Sequence, residues 1–415
     1  MNSHPPTILY PRAWTPTSSC AVGTALDQIA YAILCALTFV LPWETSIGPR
    51  FIPILGVMVI GMTLLRTVVL AQARKLCELQ YFMLAFVMWS GASVLWTLDL
   101  DSTITRLGTY AQLLLLAWAI WVLADSESRV LKLLQLYVFG TYVTAIGTIS
   151  NVIAGHTTQQ LTEMEPGDRY MMSGMNPNAT GLLLVPSIPM TLYLLAKQKR
   201  SPAMTLLLWL QLVLCFTTVF LSGSRGALLA AAPTSVMFLI TVFRLPWWQR
   251  VLAVMAIAAI VVCGSLLVPS DTWQRNLRLG TDLVQGTMTH RTEIWRASVE
   301  LFRDHAFLGV GANAHAAAVV ELIGRPLVAH NTFLSVLVEL GIIGELLLLG
   351  LLGAAFYCVL QMPRLERALW ILTLAAWCIA ASSATSEYHK GTWFLWSLLA
   401  AHAYLRRDTA RVVLV

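Results

Sequence analysis

Residues 332–360 read TFLSVLVELGIIGELLLLGLLGAAFYCVL, a long run whose only charged members are Glu339 and Glu345. An α-helix needs about 20 mostly apolar residues to cross the hydrocarbon core of a bilayer, so this run can span one. Similar runs recur along the chain and predict an all-α polytopic integral membrane protein with about 12 transmembrane helices. The predicted spans lie near 25–43, 51–70, 80–97, 107–124, 129–153, 177–197, 203–221, 227–243, 250–269, 332–360, 367–385 and 391–405.

The overall composition supports the same class. Of the 415 residues, 57% are hydrophobic and 12% are charged, and the mean hydropathy is +0.71. Soluble domains carry about 25% charged residues, so this chain has too few to cover a water-facing surface, and a soluble globular enzyme is excluded. Disordered, collagen-like and coiled-coil classes are excluded too, because the sequence has no polar low-complexity tract, Gly-X-Y period or heptad run.

The distribution of charge predicts the topology. The net charge of +6 does not indicate a nucleic-acid partner here, because the basic residues lie mostly in short loops between the spans. With the N-terminus inside, the inner loops carry about three times as many Lys and Arg residues as the short outer loops, which favours both termini in the cytoplasm. The expected organisation is a cytoplasmic tail (1–24), nine transmembrane helices (25–269), a periplasmic loop with amphipathic helices (270–330), three transmembrane helices (331–405) and a cytoplasmic tail (406–415).

Metal binding is not indicated by the sequence. The seven cysteines form no CxxC pair, and five of them lie inside apolar runs, so they are interpreted as small core residues. The string Asp99-Leu100-Asp101 resembles a metal-binding pair, but the nearby Arg106 favours a solvated ion pair in a loop. We therefore expect neither a metal nor another cofactor.

The outward segment 270–330 is the only sizeable part predicted to lie outside the membrane. His290–Phe302 has the period of an amphipathic helix, with Trp295 on the apolar stripe and Arg296 on the opposite side. Gly309-Val310-Gly311 ends this pattern, and a second helix is expected from Ala312 to Ile323. Such helices can lie at the outer membrane interface and cover the bundle.

Arginines on the outer side are informative, because membrane insertion selects against them. Arg225 lies in the turn Ser222-Gly223-Ser224-Arg225-Gly226 between two spans, where its charge must sit at the membrane surface. A snorkelling arginine beside lipid phosphate, or a plain turn residue, is the simpler alternative. Charged residues near membrane depth are more often functional, which makes Arg225 a candidate site residue.

Two other outer arginines have local alternatives of the same kind. Arg169 lies in a loop with Asp168 and Glu165. It could form a surface ion pair with one of them instead of belonging to a binding site. Arg106 follows the two aspartates at 99 and 101, and pairing with one of them is the simpler interpretation.

The outward segment contributes the remaining candidates. Arg291 and Arg296 belong to the amphipathic helix, where each could simply be solvated. His330 lies just before the span that begins at 332, with Asn331 as a possible N-cap of that helix. A packing role for His330 is the alternative.

Several cations on one outward surface indicate an anionic ligand. Arginine forks match phosphate oxygens, and the bordering apolar spans favour a phosphorylated lipid head group over a soluble anion. Nearby guanidinium charges and a helix N-terminus both lower the pKa of a histidine, which would hold His330 in the neutral form that a general base needs. The pattern predicts group transfer with a phosphate leaving group.

The order of these motifs resembles the O-antigen ligase family, the Wzy-C superfamily, closely over about 205–360. One departure is His305-Ala306, where many relatives have His-Pro before the glycine break; this concerns loop rigidity. The motifs that carry the resemblance are the Ser222–Gly226 turn, the helix with Arg291 and Trp295, Gly309-Val310-Gly311, His330-Asn331-Thr332-Phe333-Leu334, and Glu339-Leu340-Gly341 with Gly344.

The resemblance implies a bundle similar to GT-C membrane glycosyltransferases. Such ligases transfer a glycan from undecaprenyl pyrophosphate to the lipid A–core oligosaccharide at the periplasmic face of the bacterial inner membrane, without metal or nucleotide. In this chain Arg225 and Arg291 would then clamp the pyrophosphate, and His330 would act as general base in an inverting displacement. Arg169, Arg106 and Arg296 are further expected donor contacts. Asn331 would support the imidazole, and Trp295 would help to cover the donor and exclude water.

Three alternatives stay open. An O-antigen polymerase uses the same donor and often carries Arg-x10-Gly patterns, of which this chain has one, Arg275 to Gly286. A glycan ligase that modifies pilin differs only in its acceptor. A lipid or glycan transporter is the alternative of another class, since Pro186 and Pro189 in one span could break a helix. Few ionisable residues lie at mid-span, which argues against transport.

Overall fold

The computed structural model describes residues 18–48, 51–156, 169–197, 201–277 and 291–412, and within these ranges it is helical with no strand. A 3₁₀ helix, Leu41–Ser46, follows the first α-helix, and a second one, Ser93–Leu95, follows the third. The α-helices are α1 (Ser18–Val40), α2 (Phe51–Leu70), α3 (Glu78–Ala92), α4 (Leu100–Leu123), α5 (Glu127–Ile153), α6 (Pro177–Leu184), α7 (Ser187–Lys197), α8 (Pro202–Leu221), α9 (Arg225–Ala231), α10 (Thr234–Val242), α11 (Trp247–Leu267), α12 (Ser270–Leu277), α13 (Arg291–Asp304), α14 (His315–Ala318), α15 (Val320–Ile323), α16 (Thr332–Leu360), α17 (Arg364–Ala381) and α18 (Lys390–Val412).

The predicted class is confirmed, and a helix lies at each predicted span. Among the described residues, 10 helical segments are long and apolar enough to cross a membrane. The other two predicted spans correspond to α17 and α18, of 18 and 23 residues, whose ends carry charged side chains. The molecule is an all-α polytopic membrane protein.

Prolines interrupt two of the spans. The span 177–197 consists of α6 and α7, which are separated at Pro186, and the span 225–242 consists of α9 and α10, which are separated at Pro233. Proline has no backbone N–H to donate and its ring clashes with the preceding turn, so a helix breaks there.

A glycine interrupts α16. Gly341 has φ +67°, and the segment after α13 lies against this break. The backbone N–H groups of Val310 and Gly311 donate to the carbonyls of Val338 and Glu339 at 3.0 and 2.8 Å. The outward segment therefore satisfies backbone groups that the break in α16 leaves without helical partners.

Both ends of the bundle differ from the predicted boundaries. The first helix begins at Ser18, inside the predicted tail 1–24, and the last helix continues to Val412, through most of the predicted tail 406–415. Arg406 pairs with Glu366 at 3.0 Å, and this ion pair joins the C-terminal part of α18 to the start of α17. The helix expected over Ala312–Ile323 is instead two short helices, α14 and α15.

Successive spans alternate in direction, which sorts the connections onto two faces. We call the site face the one that contains the connections after α1, α3, α5, α8, α11 and α17. Ion pairs link different elements near each face: Lys390 pairs with Glu44 at 3.0 Å near the site face, and Asp27 of α1 pairs with Arg66 of α2 at 2.9 Å near the opposite face. All candidate site residues lie on or near the site face.

Candidate functional site

The turn between α8 and α9 has the geometry that its glycine and serines predict. Gly223 has φ +56°, a conformation that residues with a Cβ rarely adopt. Ser224 is the N-cap of α9 and accepts a hydrogen bond from the N–H of Ala227 at 3.4 Å. Arg225 is therefore the first residue of α9, half-buried at the edge of the site face.

Two further arginines hold this turn from the outside. The Nε of Arg169 donates to the carbonyl of Ser222 at 3.0 Å, and the Nε of Arg275 donates to the carbonyl of Gly223 at 3.1 Å. A Cβ built on Gly223 would lie 3.5 Å from the Cγ of Arg169 and 3.4 Å from the Cδ of Arg275. The side chains of Arg169 and Arg275 thus contact the turn that leads into Arg225, and arginines grouped in this way can bind an anion through their paired N–H donors.

Arg275 was not among the candidates expected from the sequence, where it is only one end of an Arg-x10-Gly pattern. The available signal was its place on α12, a short polar helix directly after a span. For Arg169 the expected local partners, residues 165 and 168, lie outside the described residues; the contacts seen are with Ser222 and, at 2.6 Å, the Oδ1 of Asn178.

His330 lies at the junction between the outward segment and α16. Its backbone has φ +48°, and its side chain is exposed. Asn331 is the N-cap of α16, as predicted, and its Oδ1 accepts from the N–H of Leu334 at 3.2 Å. Desolvation by the surrounding protein, followed by the positive charge of Arg291, lowers the pKa of His330, which confirms the predicted direction.

Two sets of hydrogen bonds connect helix α13 to the segment before His330. Trp295 donates from its Nε1 to the carbonyl of Ala329 at 2.9 Å. His315 is 2% exposed, and its Nδ1 lies 3.1 Å from the carbonyl of Leu327 while its Nε2 lies 2.8 Å from the hydroxyl of Ser298. A carbonyl only accepts, so Nδ1 carries the proton.

Burial keeps this second link neutral. It lowers the pKa of His315 to about 4, so the ring stays uncharged at physiological pH. Helix α13, which begins at Arg291, and the residues that lead to His330 are therefore linked to each other by these two contacts. The sequence analysis missed His315.

The loop after α17 joins the Arg225 turn to the His330 junction. A Cβ on Gly226 would lie 2.1 Å from the Oγ of Ser383, so the turn is packed directly on this loop. Thr332, two residues after His330, donates to the carbonyl of Ala384 at 2.8 Å and accepts from the N–H of Ser386 at 2.9 Å. Arg225 and His330 therefore border the same loop on the same face.

Arg106 lies in a different environment from the other candidates. It is 9% exposed, its guanidinium lies 3.4 Å from Glu387 and 3.6 Å above the ring of Tyr388, and it donates to Asn313. Asn313 in turn donates from its N–H to Glu339 at 2.6 Å. This is a buried cluster between α4, the outward segment, α16 and the loop after α17.

The expected pairing of Arg106 with Asp99 or Asp101 is wrong. Asp99 is the N-cap of α4 and accepts from the N–H of Ser102 at 3.1 Å, so the supposed loop is the first turns of a helix. Arg106 lies further along α4 and turns inward to a carboxylate on another element. Its guanidinium is enclosed by Asn313, Glu387 and Tyr388, and no contact of Arg106 with the Arg225 turn is seen among the described residues.

Arg296 is also separate from the His330 junction. It is exposed on the side of α13 opposite Ser298 and lines a groove between α13 and α15. Arg225, Arg169 and Arg275 thus form one group and Arg291 and His330 another, with a shared loop between the two. Arg106 contacts that same loop from its buried side, through Glu387 and Tyr388, and Arg296 lies in the groove.

Residues 210–349 match the family model Wzy_C, described as O-antigen ligase. The matched segment runs from α8 into α16 and includes the Arg225 turn, Arg291 and His330. A search of curated proteins finds no match to the chain.

Proposed function

We propose that this chain, which carries an O-antigen ligase domain over residues 210–349 as its motifs predicted, is a membrane glycosyltransferase of lipopolysaccharide maturation. It would transfer a glycan from undecaprenyl pyrophosphate to a hydroxyl of the lipid A–core oligosaccharide, at the periplasmic face of the bacterial inner membrane. The observation that carries the proposal is that two neighbouring sites pack against the loop after α17: the Arg225 turn, which Arg169 and Arg275 contact, and the junction that carries His330.

The arginines supply the electrostatic part of the reaction. Arg225, Arg169 and Arg275 bind the pyrophosphate at the turn, and Arg291 contacts it from the outward segment. Guanidinium groups present paired N–H donors that fit phosphate oxygens. As the glycosidic bond breaks, its electron pair moves to the departing diphosphate, whose growing charge these fixed donors stabilise.

His330 supplies the proton acceptor. The acceptor hydroxyl attacks the anomeric carbon opposite the diphosphate, a new C–O bond forms, and the hydroxyl proton moves to the imidazole. A single displacement inverts the anomeric centre. The lowered pKa of His330 keeps its ring neutral at the working pH, which is the state in which it can accept a proton.

The acceptor decides between the enzyme alternatives. A polymerase and a pilin glycan ligase would use the same donor and the same arginines. A transfer assay with purified protein in lipid nanodiscs, labelled donor and no ion gradient therefore includes two acceptors, lipid A–core and a repeat-unit lipid. Transfer to lipid A–core supports the ligase; transfer to the repeat-unit lipid alone would make it a polymerase, and no transfer to either would contradict the proposal.

Two variants test the assigned roles in the same assay. His330→Ala is expected to lower the rate by about 10²–10⁴-fold, since that is the usual contribution of a general base. Arg225→Lys keeps the charge but loses the fork, and a loss of about 10²–10³-fold is expected. His305→Ala, an exposed histidine of the same outward segment, is the matched control and should retain activity. Near-normal transfer by His330→Ala would refute the base assignment.

A further inference from the structure

A second concave surface lies on the side of α13 that faces away from His330. It is an open groove between α13 and α15. Three charged side chains of α13 line one wall, Glu293, Arg296 and Glu300, and two aliphatic side chains of α15 line the other, Leu322 and Ile323.

The charged side chains of this groove are available to a ligand. Glu293, Arg296 and Glu300 are exposed, and within the described part of the chain none of them forms a hydrogen bond or an ion pair. Their spacing of three and four residues would allow ion pairs along the helix. The arginine instead remains apart from both carboxylates, so donors and acceptors alternate along the wall.

The charge balance of the groove argues against a phosphate ligand. Two carboxylates and one guanidinium give a net negative wall, which repels an anion. Arg296, expected from the sequence to contact the donor pyrophosphate, is therefore placed where a pyrophosphate would not bind.

The same groups suit a neutral ligand rich in hydroxyls. Carboxylates accept hydrogen bonds from hydroxyl groups, and a guanidinium donates to hydroxyl and ring oxygens. Leu322 and Ile323 offer an apolar wall for the C–H face of a sugar ring, and binding sites commonly combine such a wall with a few polar groups. We propose that the groove between α13 and α15 binds a carbohydrate chain.

This inference rests on the proposed function, in which both substrates carry a glycan. The two faces of α13 would then have separate tasks. Trp295 and Ser298 form the hydrogen bonds that connect one face to the His330 junction. Arg296 and its neighbours on the other face would bind sugar residues that are remote from the reacting bond. Binding energy from such remote contacts helps to orient the reacting groups.

Binding is tested without any transfer reaction. Purified protein in nanodiscs is titrated with two soluble probes, the core oligosaccharide released from lipopolysaccharide and a released O-antigen repeat oligosaccharide, and binding is followed by ligand-observed NMR. Arg296→Ala should weaken binding of one probe roughly tenfold, as expected for one charge-assisted hydrogen bond. Arg303→Ala, an exposed arginine of the same helix that does not line the groove, should bind like the parent protein.

The identity of the bound probe shows whether the groove takes the acceptor or the donor glycan. In a transfer assay, Arg296→Ala should raise the KM of that substrate roughly tenfold with kcat nearly unchanged, because uniform binding is lost. Failure of the parent protein to bind either probe, or an equal loss in Arg303→Ala, would overturn the carbohydrate proposal. A fall in kcat with intact oligosaccharide binding would instead place Arg296 in the diphosphate clamp and also overturn it. Absence of transfer with intact binding would refute only the proposed function.

Discussion

His330 occupies a backbone conformation that only a few percent of residues other than glycine adopt. This residue lies directly before the Asn331 N-cap, so the first turn of α16 and the two links to α13 hold the backbone of His330 at the site face. Strained positions of this kind persist where the surrounding structure over-determines them, and they cluster at functional sites. The position supports a functional role for the histidine rather than a packing role.

The influence of Arg291 on His330 predicts a pH effect. Removing the positive charge in Arg291→Gln takes away one cause of the lowered pKa, so that pKa should rise toward its ordinary value of 6.5. A base with a higher pKa is protonated at higher pH, and the acid limb of the pH profile of kcat/KM should therefore move to higher pH. The measurement is the pH at which kcat/KM falls on the acid side, and not the maximal value of kcat/KM. Arg296→Gln is the control, and an unmoved limb in Arg291→Gln would contradict the coupling.

Glu387 predicts a different pH effect, on stability. Burial first, and the negative charge of Glu339 next, raise the pKa of Glu387 to about 8 from an ordinary 4.5. The protonated form is thus favoured in the folded protein, so the stability that this group contributes is fully present below pH 4.5 and is lost as the pH rises through about 8. Glu387→Gln cannot ionise, and its thermal midpoint in detergent should change less than that of the parent between pH 5 and 8. A parallel decline in both proteins would contradict this assignment.

At the scale of elements, the break in α16 and the glycine segment after α13 interlock. A Cβ on Gly309 would lie 2.4 Å from the carbonyl oxygen of Glu339, and one on Gly341 would lie 2.2 Å from that of Phe307. Ile342 also donates from its N–H to the carbonyl of Ala306 at 2.9 Å. The atoms that a Cβ would meet at either glycine belong to the backbone, so no flexible side chain can move to relieve the clash. The glycines shared with the O-antigen ligase motifs are thus explained by close approach.

Alanine at Gly341 should therefore destabilise the fold. It combines a backbone clash with a positive φ of +67°, and a loss of at least about 2 kcal/mol is expected. Gly353→Ala lies in the same helix with open space around its Cβ and should be neutral or stabilise by about 0.5–1 kcal/mol. Thermal unfolding of both variants, followed by circular dichroism, tests the difference. Equal midpoints for the two variants would show that the interlock contributes little.

At the scale of the whole molecule, the two faces of the bundle differ in what their charges do. On the opposite face, Glu366 is paired with Lys197 at 2.5 Å and with Arg406 at 3.0 Å, and Asp27 is paired with Arg66. These charges neutralise one another and fasten helix ends. On the site face, Arg169 and Arg275 donate to backbone carbonyls of the turn that leads into Arg225, so three arginines border one turn, and arginine forks suit an anionic substrate.

The orientation of these faces is a prediction that labelling can test. The distribution of lysine and arginine places the site face outward. Ser382→Cys on the site face should react with a membrane-impermeant maleimide in cells whose outer membrane is permeabilised, because this position is exposed. Gln361→Cys, exposed on the opposite face, should react only after lysis. The parent chain, with its own cysteines, gives the background, and the reverse labelling pattern would place the site in the cytoplasm.

The sequence predicted local features well. The Ser224 and Asn331 caps depend on residues next to them in the chain, and the predicted cap at Asn331 is confirmed. The amphipathic helix expected over His290–Phe302 is observed as Arg291–Asp304, while His290 lies outside the described residues. Predictions of contacts between residues far apart in the chain were less successful. Arg106 was expected to pair with an aspartate within seven residues, and it instead contacts Glu387.

The sequence by itself determined the membrane class, the positions of the helices and the segment that resembles the O-antigen ligase family, because apolar length, proline, glycine and charge act over one span or less. Only the tertiary structure decided which polar groups meet. Arg106 and Glu387 are separated by 281 positions in the chain, and Arg275 and Gly223 by 52. Such contacts depend on how helices pack across the bundle, and that packing is the sum of many small side-chain contacts that no local pattern encodes.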